Sequence, residues 1–552
     1  MADVTQVKIK RLFELYFSFF WRLPVWIYLA TLSLPVLFLN LPNLTHTFVS
    51  DDWYILQEVA GKRTFPTTFL AGSGYVRPVG MLTWAILYHL FGIQPLPYYA
   101  VALLLHLGNV WLVFAVVKRL SGSRFASFMA ALAFGTFHLG WEPTTWLSSA
   151  FFDVQCAFFM LLAFRLFLDI DPTNLKVIAN SKKIGRFKQS EILTPLFSII
   201  CFGLATFSKE TGILLLPIYL FYDLWHWRLT RRKLWQNLFL YGLMALVLLS
   251  FFVLHYWFNS GANTTDPFQL TNFFNNIVFY LKGLLLPLYG YNLSGFALLR
   301  HELELGLWLL PVIPVLIYII SSLIRSRNKP VGYLRNRRTQ SLDVYPIGLL
   351  VLGLVWVVVC SLATTTQKYT YLRFLYVADI GVCFGVAALV ILTLNFVKWL
   401  YLNRVVLIAT YIAIAYIIII FSAAGILEFE QGHNLYTKAS DFTKHLTEAT
   451  SRDIASGVKD IVLVNIPREI ESANGSQANL FYDGLNVQIA ISLQPNFRPV
   501  SIEVVRTEDG ARLGYDVAGN LVSGSLPIPA VGNAIIRVYR FGVSDFSIIE
   551  MS

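Results

Sequence analysis

Charge is what this chain has least of. Asp, Glu, Lys and Arg make up 14% of its 552 residues, against about 25% in an ordinary soluble domain. That excludes the soluble globular class. Cysteine is scarce as well. Cys156, Cys201, Cys360 and Cys383 all lie in apolar segments, at no metal-ligand spacing. They read as small core residues and carry no information about redox compartment. No small-residue cleavage site follows the N-terminal apolar span behind Lys8, Lys10 and Arg11. A retained first helix with a cytoplasmic tail is therefore expected, not a cleaved signal peptide. No internal repeat or low-complexity tract stands out.

What is present is apolar: 56% hydrophobic residues and a mean hydropathy of +0.60. Blocks such as Val25–Leu41, Tyr345–Ala363 and Val405–Gly425 approach or reach the roughly 20 helical residues that cross a bilayer. The fold class expected is an α-helical polytopic membrane protein. The net charge of +11 does not argue for nucleic acid, because Lys and Arg collect in cytoplasmic loops of membrane proteins. Six basic clusters mark that side: Lys8–Arg11, Lys118–Arg124, Lys176–Lys188, Arg228–Lys233, Arg325–Arg338 and Lys398–Arg404.

With all six inside, the number of crossings between neighbours must be even. The short stretch 79–92, bounded by Pro78, Gly92 and Pro95, is then a juxtamembrane helix in a first external loop (about 43–96). The stretch 272–289 is a half-buried piece of a second external loop (259–305). About eleven spans remain, near 24–42, 97–117, 125–141, 150–168, 193–208, 211–226, 236–258, 306–324, 345–363, 374–397 and 404–425. Two domains follow: 1–427, transmembrane, and 428–552, a small β-rich extracytoplasmic domain. Its β-type runs are Asp460–Asn465, Val487–Leu493 and Ala534–Tyr539, with turn signals at Asp483-Gly484 and Asp509-Gly510.

This topology uses only the basic loops, so it places the unusual polar residues independently. Asp51, Asp52 and Arg77 fall in the first external loop. Glu142 and Asp153 flank the next outer turn; Lys209 and Glu210 form another; Lys368 and Arg373 lie at a third. All come out on one face. Each also has an ordinary explanation. Lys209-Glu210 suits a solvated turn, Asp153 a helix N-terminus, and Arg373 an aromatic-belt anchor. His106 and His138 suit interhelical hydrogen bonding. As a set they suggest chemistry at headgroup level. A carboxylate can act as general base on an acceptor hydroxyl, while fixed cations bind a phosphate and stabilise the charge growing on it as it leaves.

The same residues resemble a family. Asp51-Asp52-Trp53, then Tyr75-Val-Arg77-Pro78, His89-Leu-Phe-Gly92 and Tyr98, are similar to the first-loop motifs of the GT-C superfamily of membrane glycosyltransferases. The likeness is to the protein O-mannosyltransferase branch and its tetratricopeptide-bearing relatives. His106 and Asn109 match its "H..N" pair. His138-Leu-Gly-Trp-Glu142 with Asp153 resembles its "HP..E…D" element, with Leu139 in place of proline. Ser208-Lys209-Glu210 matches "SKE", with Tyr222-Asp223 ending the next helix, and Leu372–Tyr376 resembles "RYLY". The motifs keep their order over about residues 45–380.

The resemblance implies inverting transfer of a sugar from a polyprenyl-phosphate carrier to a lipid, glycan or protein acceptor, on the outer face. Asp51 would be the base and Asp52 would position acceptor or base. Arg373, Lys209 and Arg77 would bind phosphate, with Glu142, Asp153 and Glu210 orienting them or binding sugar hydroxyls, and His106 nearby. That branch works without a metal, and no cofactor is expected, although the acids would bind a divalent ion if they converge. The repeats of the eukaryotic relatives are absent. A flippase or transporter is the rival reading, and a receptor or scaffold centred on the C-terminal domain is a third. The chain ends in no lumenal retrieval signal. Its sequons at Asn43, Asn263, Asn292 and Asn474 are of a kind common by chance. A bacterial cytoplasmic membrane is the expected location, with the endoplasmic reticulum as the alternative.

Overall fold

The structure is a computed structural model that describes residues 23–60, 75–170, 189–230, 237–259, 270–285, 346–365, 371–399 and 404–458, and regular elements between 460 and 551. The expected span 306–324, most of the loop 259–305, Lys368, both Asp-Gly turns and three of the sequons lie outside these residues.

Among the described residues, six helices are long and apolar enough to cross a membrane. They lie within Val25–Thr45, Pro95–Ser121, Leu147–Phe167, Leu238–Phe258, Leu372–Phe396 and Thr410–Ser456. In chain order the helices are α1 (Val25–Asn40), α2 (Asp51–Val59), α3 (Pro78–Phe91), α4 (Pro95–Ser121), α5 (Arg124–Thr136), α6 (Leu147–Phe167), α7 (Gln189–Ser208) and α8 (Leu215–Thr230). Then follow α9 (Leu238–Asn259), α10 (Leu270–Leu285), α11 (Pro346–Thr365), α12 (Tyr376–Trp399) and α13 (Arg404–Ser456). The expected surface stretch 79–92 is the short helix α3, and 272–289 is largely the helix α10.

Local chemistry explains where these helices begin and end. Pro95 opens α4 at a position where its missing N–H costs nothing. Lys118 and Arg119 sit in the last turn of α4, and Gly122 closes it in the left-handed region at φ 69°. Ser123 caps α5, its hydroxyl accepting from Ala126 N at 3.2 Å. Helix packing uses small residues, as expected where lipid supplies no hydrophobic drive between helices. At the α11–α12 crossing, a Cβ on Gly353 would lie 2.5 Å from the Gly381 carbonyl oxygen, and the reverse distance is also 2.5 Å.

Helix α13 has 53 residues and runs unbroken through residue 427, where the hydropathy changes. Beyond it, the described strands form a six-stranded sheet in the order β6-β5-β4-β1-β7-β8. Its members are β1 (Asp460–Val464), β4 (Ser501–Val505), β5 (Arg512–Tyr515), β6 (Leu521–Val522), β7 (Ile536–Phe541) and β8 (Ile548–Met551). β1 pairs in parallel with both β4 and β7, and the other pairings are antiparallel. The centre of the sheet is therefore parallel, which suits the unbroken apolar run Ile461–Val464 of β1. A hairpin of β2 (Glu469–Glu471) and β3 (Gln477–Asn479) stands apart. One expected strand is not a strand: residues 489–492 of Val487–Leu493 are helical, with Ile489, Ala490 and Ile491 all buried. A short apolar run buried on all sides has no periodicity to separate the two states.

Candidate active site

The chain leaves α1 through the 3-10 turn Leu41–Thr45 and enters α2 at Ser50. Ser50 has φ 51°, the only positive value at a non-glycine residue among the described residues. Such a backbone costs about 1–3 kcal/mol and persists only where its surroundings enforce it. It sets Asp51 and Asp52 in the first turn of α2, where the helix dipole favours negative charge.

There the two acids part. Asp52 is 0% exposed. Its Oδ1 accepts from Ser148 N at 2.9 Å and Ser148 Oγ at 2.6 Å, and its Oδ2 from Val49 N at 3.1 Å. Burial nonetheless pushes this carboxyl up to about 7. The three donors pull it down, and the neighbouring Asp51 adds to the rise. Asp51 is only half-buried.

Six of the other predicted residues form three cation–carboxylate pairs. Arg77 grips Glu210 with two bonds, Nε–Oε2 at 3.0 Å and Nη2–Oε1 at 2.6 Å, and lies over the rings of Tyr75 and Phe152. This fork explains why Glu210 is held at about 2: burial would raise it, but the Arg77 charge and hydrogen bonds outweigh that. Lys209 pairs with Asp153, both buried, and Asp153 also accepts from Ser149 Oγ at 2.9 Å. Asp153 lies in a π-helical turn, Ala150–Val154, that interrupts α6; such turns are frequent at functional sites. Arg373, in the 3-10 turn Leu372–Leu375, pairs with Glu142 at 2.5 Å. Its guanidinium stacks on Tyr371 at 3.9 Å and Trp146 at 4.6 Å.

The pairs are near one another. Arg77, Arg373 and Tyr376 all feel the charge of Asp153. Tyr436 of α13 feels Asp51, Asp52, Glu142 and Arg373. Thus the structure gathers Asp51, Asp52, Arg77, Glu142, Asp153, Lys209, Glu210 and Arg373 at one end of the helices. His106 belongs to a separate hydrogen-bonded set: it is buried, with Nδ1 2.7 Å from Tyr376 OH, and that hydroxyl accepts from Asn109 Nδ2 at 3.0 Å. Asn109 in turn donates to Val154 O at 2.9 Å. This is the interhelical bonding that His106 suggested, and it ties α4 to α6 and α12. Asp223 similarly joins α8 to α9, accepting from Tyr241 OH at 2.6 Å.

Several contributors escaped the sequence reading. Ser148 and Ser149 hold the two buried acids, and Trp146 and Tyr371 stack on Arg373. The only signal available was their position next to motif residues. A second surprise is the link from α13 to the first loop. His433 stacks on His46 with centroids 4.8 Å apart, His46 Nε2 lies 3.0 Å from Thr437 Oγ1, and Thr47 N donates to Ser440 Oγ at 2.8 Å. Burial, with the His433 ring beside it, holds His46 down at about 3. Asn43 of the first sequon is buried there, 3.0 Å from His433 Nδ1.

Among the described residues no group of three or more His, Cys, Asp or Glu is disposed to hold a metal ion. Asp52, Glu142, Asp153 and Glu210 each face a different partner.

No protein-family model matches the chain, and no curated protein matches it. Among solved structures, the archaeal oligosaccharyltransferase AglB from Archaeoglobus fulgidus, in complex with an inhibitory peptide and a dolichol-phosphate, is similar at 12% identity and a TM-score of 0.45. That match covers 84% of this chain and 63% of that one. The apo form of the Archaeoglobus fulgidus oligosaccharyltransferase matches at 12% identity and a TM-score of 0.46, over 86% and 64%. ArnT from Cupriavidus metallidurans in the apo state matches at 11% identity and a TM-score of 0.45, over 87% and 92%. The chain spans less than two thirds of the length of the oligosaccharyltransferase.

Proposed function

We propose that this integral membrane protein is an inverting glycosyltransferase of GT-C type, of the mannosyltransferase-like branch. It moves a sugar from a polyprenyl-phosphate carrier to an acceptor hydroxyl on the outer face of a bacterial cytoplasmic membrane. The observation that carries the reading is the division of labour within Asp51-Asp52. Asp52 is enclosed by Ser148 and Val49 and anchors the turn, while Asp51 stands half-buried beside it, at the end of the helices that holds all three cations.

In this reading Asp51 takes the acceptor's hydroxyl proton. The freed oxygen attacks the anomeric carbon from the face opposite the phosphate, and the bond from that carbon to the phosphate oxygen breaks. The electron pair leaves with the polyprenyl phosphate. Phosphate needs no strong general acid to depart, so cations suffice. Arg373, Lys209 and Arg77 supply them, each held in place by its carboxylate, which lowers the cost of ordering long side chains at the moment of reaction.

The test is Asp51→Asn in purified protein supplied with defined polyprenyl-phosphate sugars. Release of lipid phosphate should fall by about a hundredfold or more, the usual contribution of a general base, with expression and carrier binding retained. Normal turnover by this variant would remove Asp51 from the mechanism.

A further inference from the structure

Between α5, α12 and α13 runs a groove that the charged residues leave unused. It is partly open to its surroundings and lined mostly by apolar side chains. Its wall on α12 is Asp379, Cys383, Val386, Val390 and Thr393, a spacing of three and four that puts all five on one helix face. From the first to the last is a rise of about 21 Å, more than one leaflet of a hydrocarbon core about 30 Å thick. Facing them on α13 are Ile414 and Ile418. That is the length of a single long hydrocarbon chain.

One end is polar. Thr136 Oγ1 lies 2.8 Å from Ser422 Oγ, and the Asp379 carboxyl, 3% exposed, lines the groove with no hydrogen-bond or ion-pair partner among the described residues. A buried polar group without a partner lowers stability, and an ionisable one inside a membrane helix marks a functional site by default. That end also leads directly to the charged site. Glu142 follows Thr136 by six residues, and Arg373 precedes Asp379 by six. What lines this end selects the occupant's head: a carboxyl that hydrogen-bonds a hydroxyl, and no cation to hold an anion.

We propose that this groove binds the hydrocarbon chain of a lipid with an uncharged, hydroxylated head, and that this lipid is the acceptor. A hydroxyl next to the chain bonds Asp379, and the rest of the head reaches the Arg373–Glu142 pair. The assignment as acceptor rests on the proposed glycosyl transfer, whereas the binding does not.

The probe is 1-palmitoylglycerol carrying a photoreactive diazirine near the end of its chain, added to the full-length protein in amphipol. Crosslinks should map to Val386–Thr393 and to the facing part of α13. Unlabelled 1-palmitoylglycerol should compete at least about tenfold better than hexadecyl phosphate, because its head gains a hydrogen bond while the phosphate finds no cation in the lining. Val386→Trp, which fills the groove, should cut labelling about tenfold; Cys383→Leu in the same wall takes its place if the Trp variant does not fold. Asp379→Leu should abolish the preference over hexadecyl phosphate. Labelling elsewhere overturns the proposal. So does equal or better competition by the phosphate, which would assign the groove to the carrier chain, or no labelling, which would leave the protein's own chain as occupant. Labelling without any sugar transfer would sink the catalytic reading alone; transfer without labelling would sink this one alone.

Discussion

Asp52 makes stability depend on pH in a way that a substitution isolates. Burial lifts its carboxyl to about 7 in the folded protein, against an ordinary value of 3.8. That is roughly three units, each about 1.36 kcal/mol, or about 4 kcal/mol in all. The sign follows from the folded value being the higher one: the folded state holds its proton longer. The penalty of a buried carboxylate is absent below pH 3.8, grows through the window up to about 7, and is complete above it. Between pH 5 and pH 8 the wild type should therefore lose about 2–3 kcal/mol relative to a non-titrating variant.

Asp52→Asn is that variant. Its amide nitrogen would face a backbone N–H, either Val49 N or Ser148 N, so it starts with a fixed handicap of about 1–3 kcal/mol. This offset does not change with pH, and only the difference in slope matters. Thermal unfolding of both proteins in one detergent, from pH 5 to pH 8, should show the wild-type advantage shrinking by a few degrees as pH rises. Parallel slopes would refute the argument and mean that water or a conformational change relieves the buried charge.

Three further outcomes follow from the same geometry. Ser148→Ala removes the 2.6 Å hydroxyl donor to Asp52; it should cost about 1.5–3 kcal/mol and move the Asp52 window to higher pH, both read in the same melts. Lys209→Met leaves Asp153 buried without its cation. A loss of about 3–5 kcal/mol is expected, and Lys209→Met/Asp153→Leu should recover most of it; a double variant no better than the single would contradict the pairing. Arg373→Lys keeps the charge but gives up the planar stack on Tyr371 and Trp146. The KM for the lipid donor should rise about tenfold or more, and an unchanged KM would take Arg373 out of carrier binding.

Much of this was legible from residue types alone. Every cation and acid of the candidate site was named from its interruption of apolar sequence, because charges are rare enough there to be conspicuous. Their pairing was not legible. Arg77 meets Glu210 across 133 residues and Arg373 meets Glu142 across 231, and hydropathy holds no information about which helix end lies beside which. Residue type alone does not separate Asp51 from Asp52, which only the family resemblance ranked; the backbone at Ser50 and the donors on Ser148 separate them physically. Hydropathy also reports the surroundings of a segment and not its conformation. That is why the drop after Leu427 looked like the end of a helix that in fact continues to Ser456, and why residues 489–492 passed for a strand.

That long helix is a gauge as well as a span. At about 1.5 Å per residue its 53 residues extend about 80 Å, well beyond the roughly 30 Å of a hydrocarbon core. Its phase is read by the first loop through His433, Thr437 and Ser440. One residue inserted between Leu427 and His433 would advance everything after it by only about 1.5 Å, yet swing it through about 100°. The His46 contact would be lost while the sheet beyond stayed intact. Restoring it would take two or three further insertions, completing a whole turn. Length along this rod is therefore permitted to vary only in steps of a turn, and the first loop is clamped in register with the C-terminal strands by angle rather than by distance.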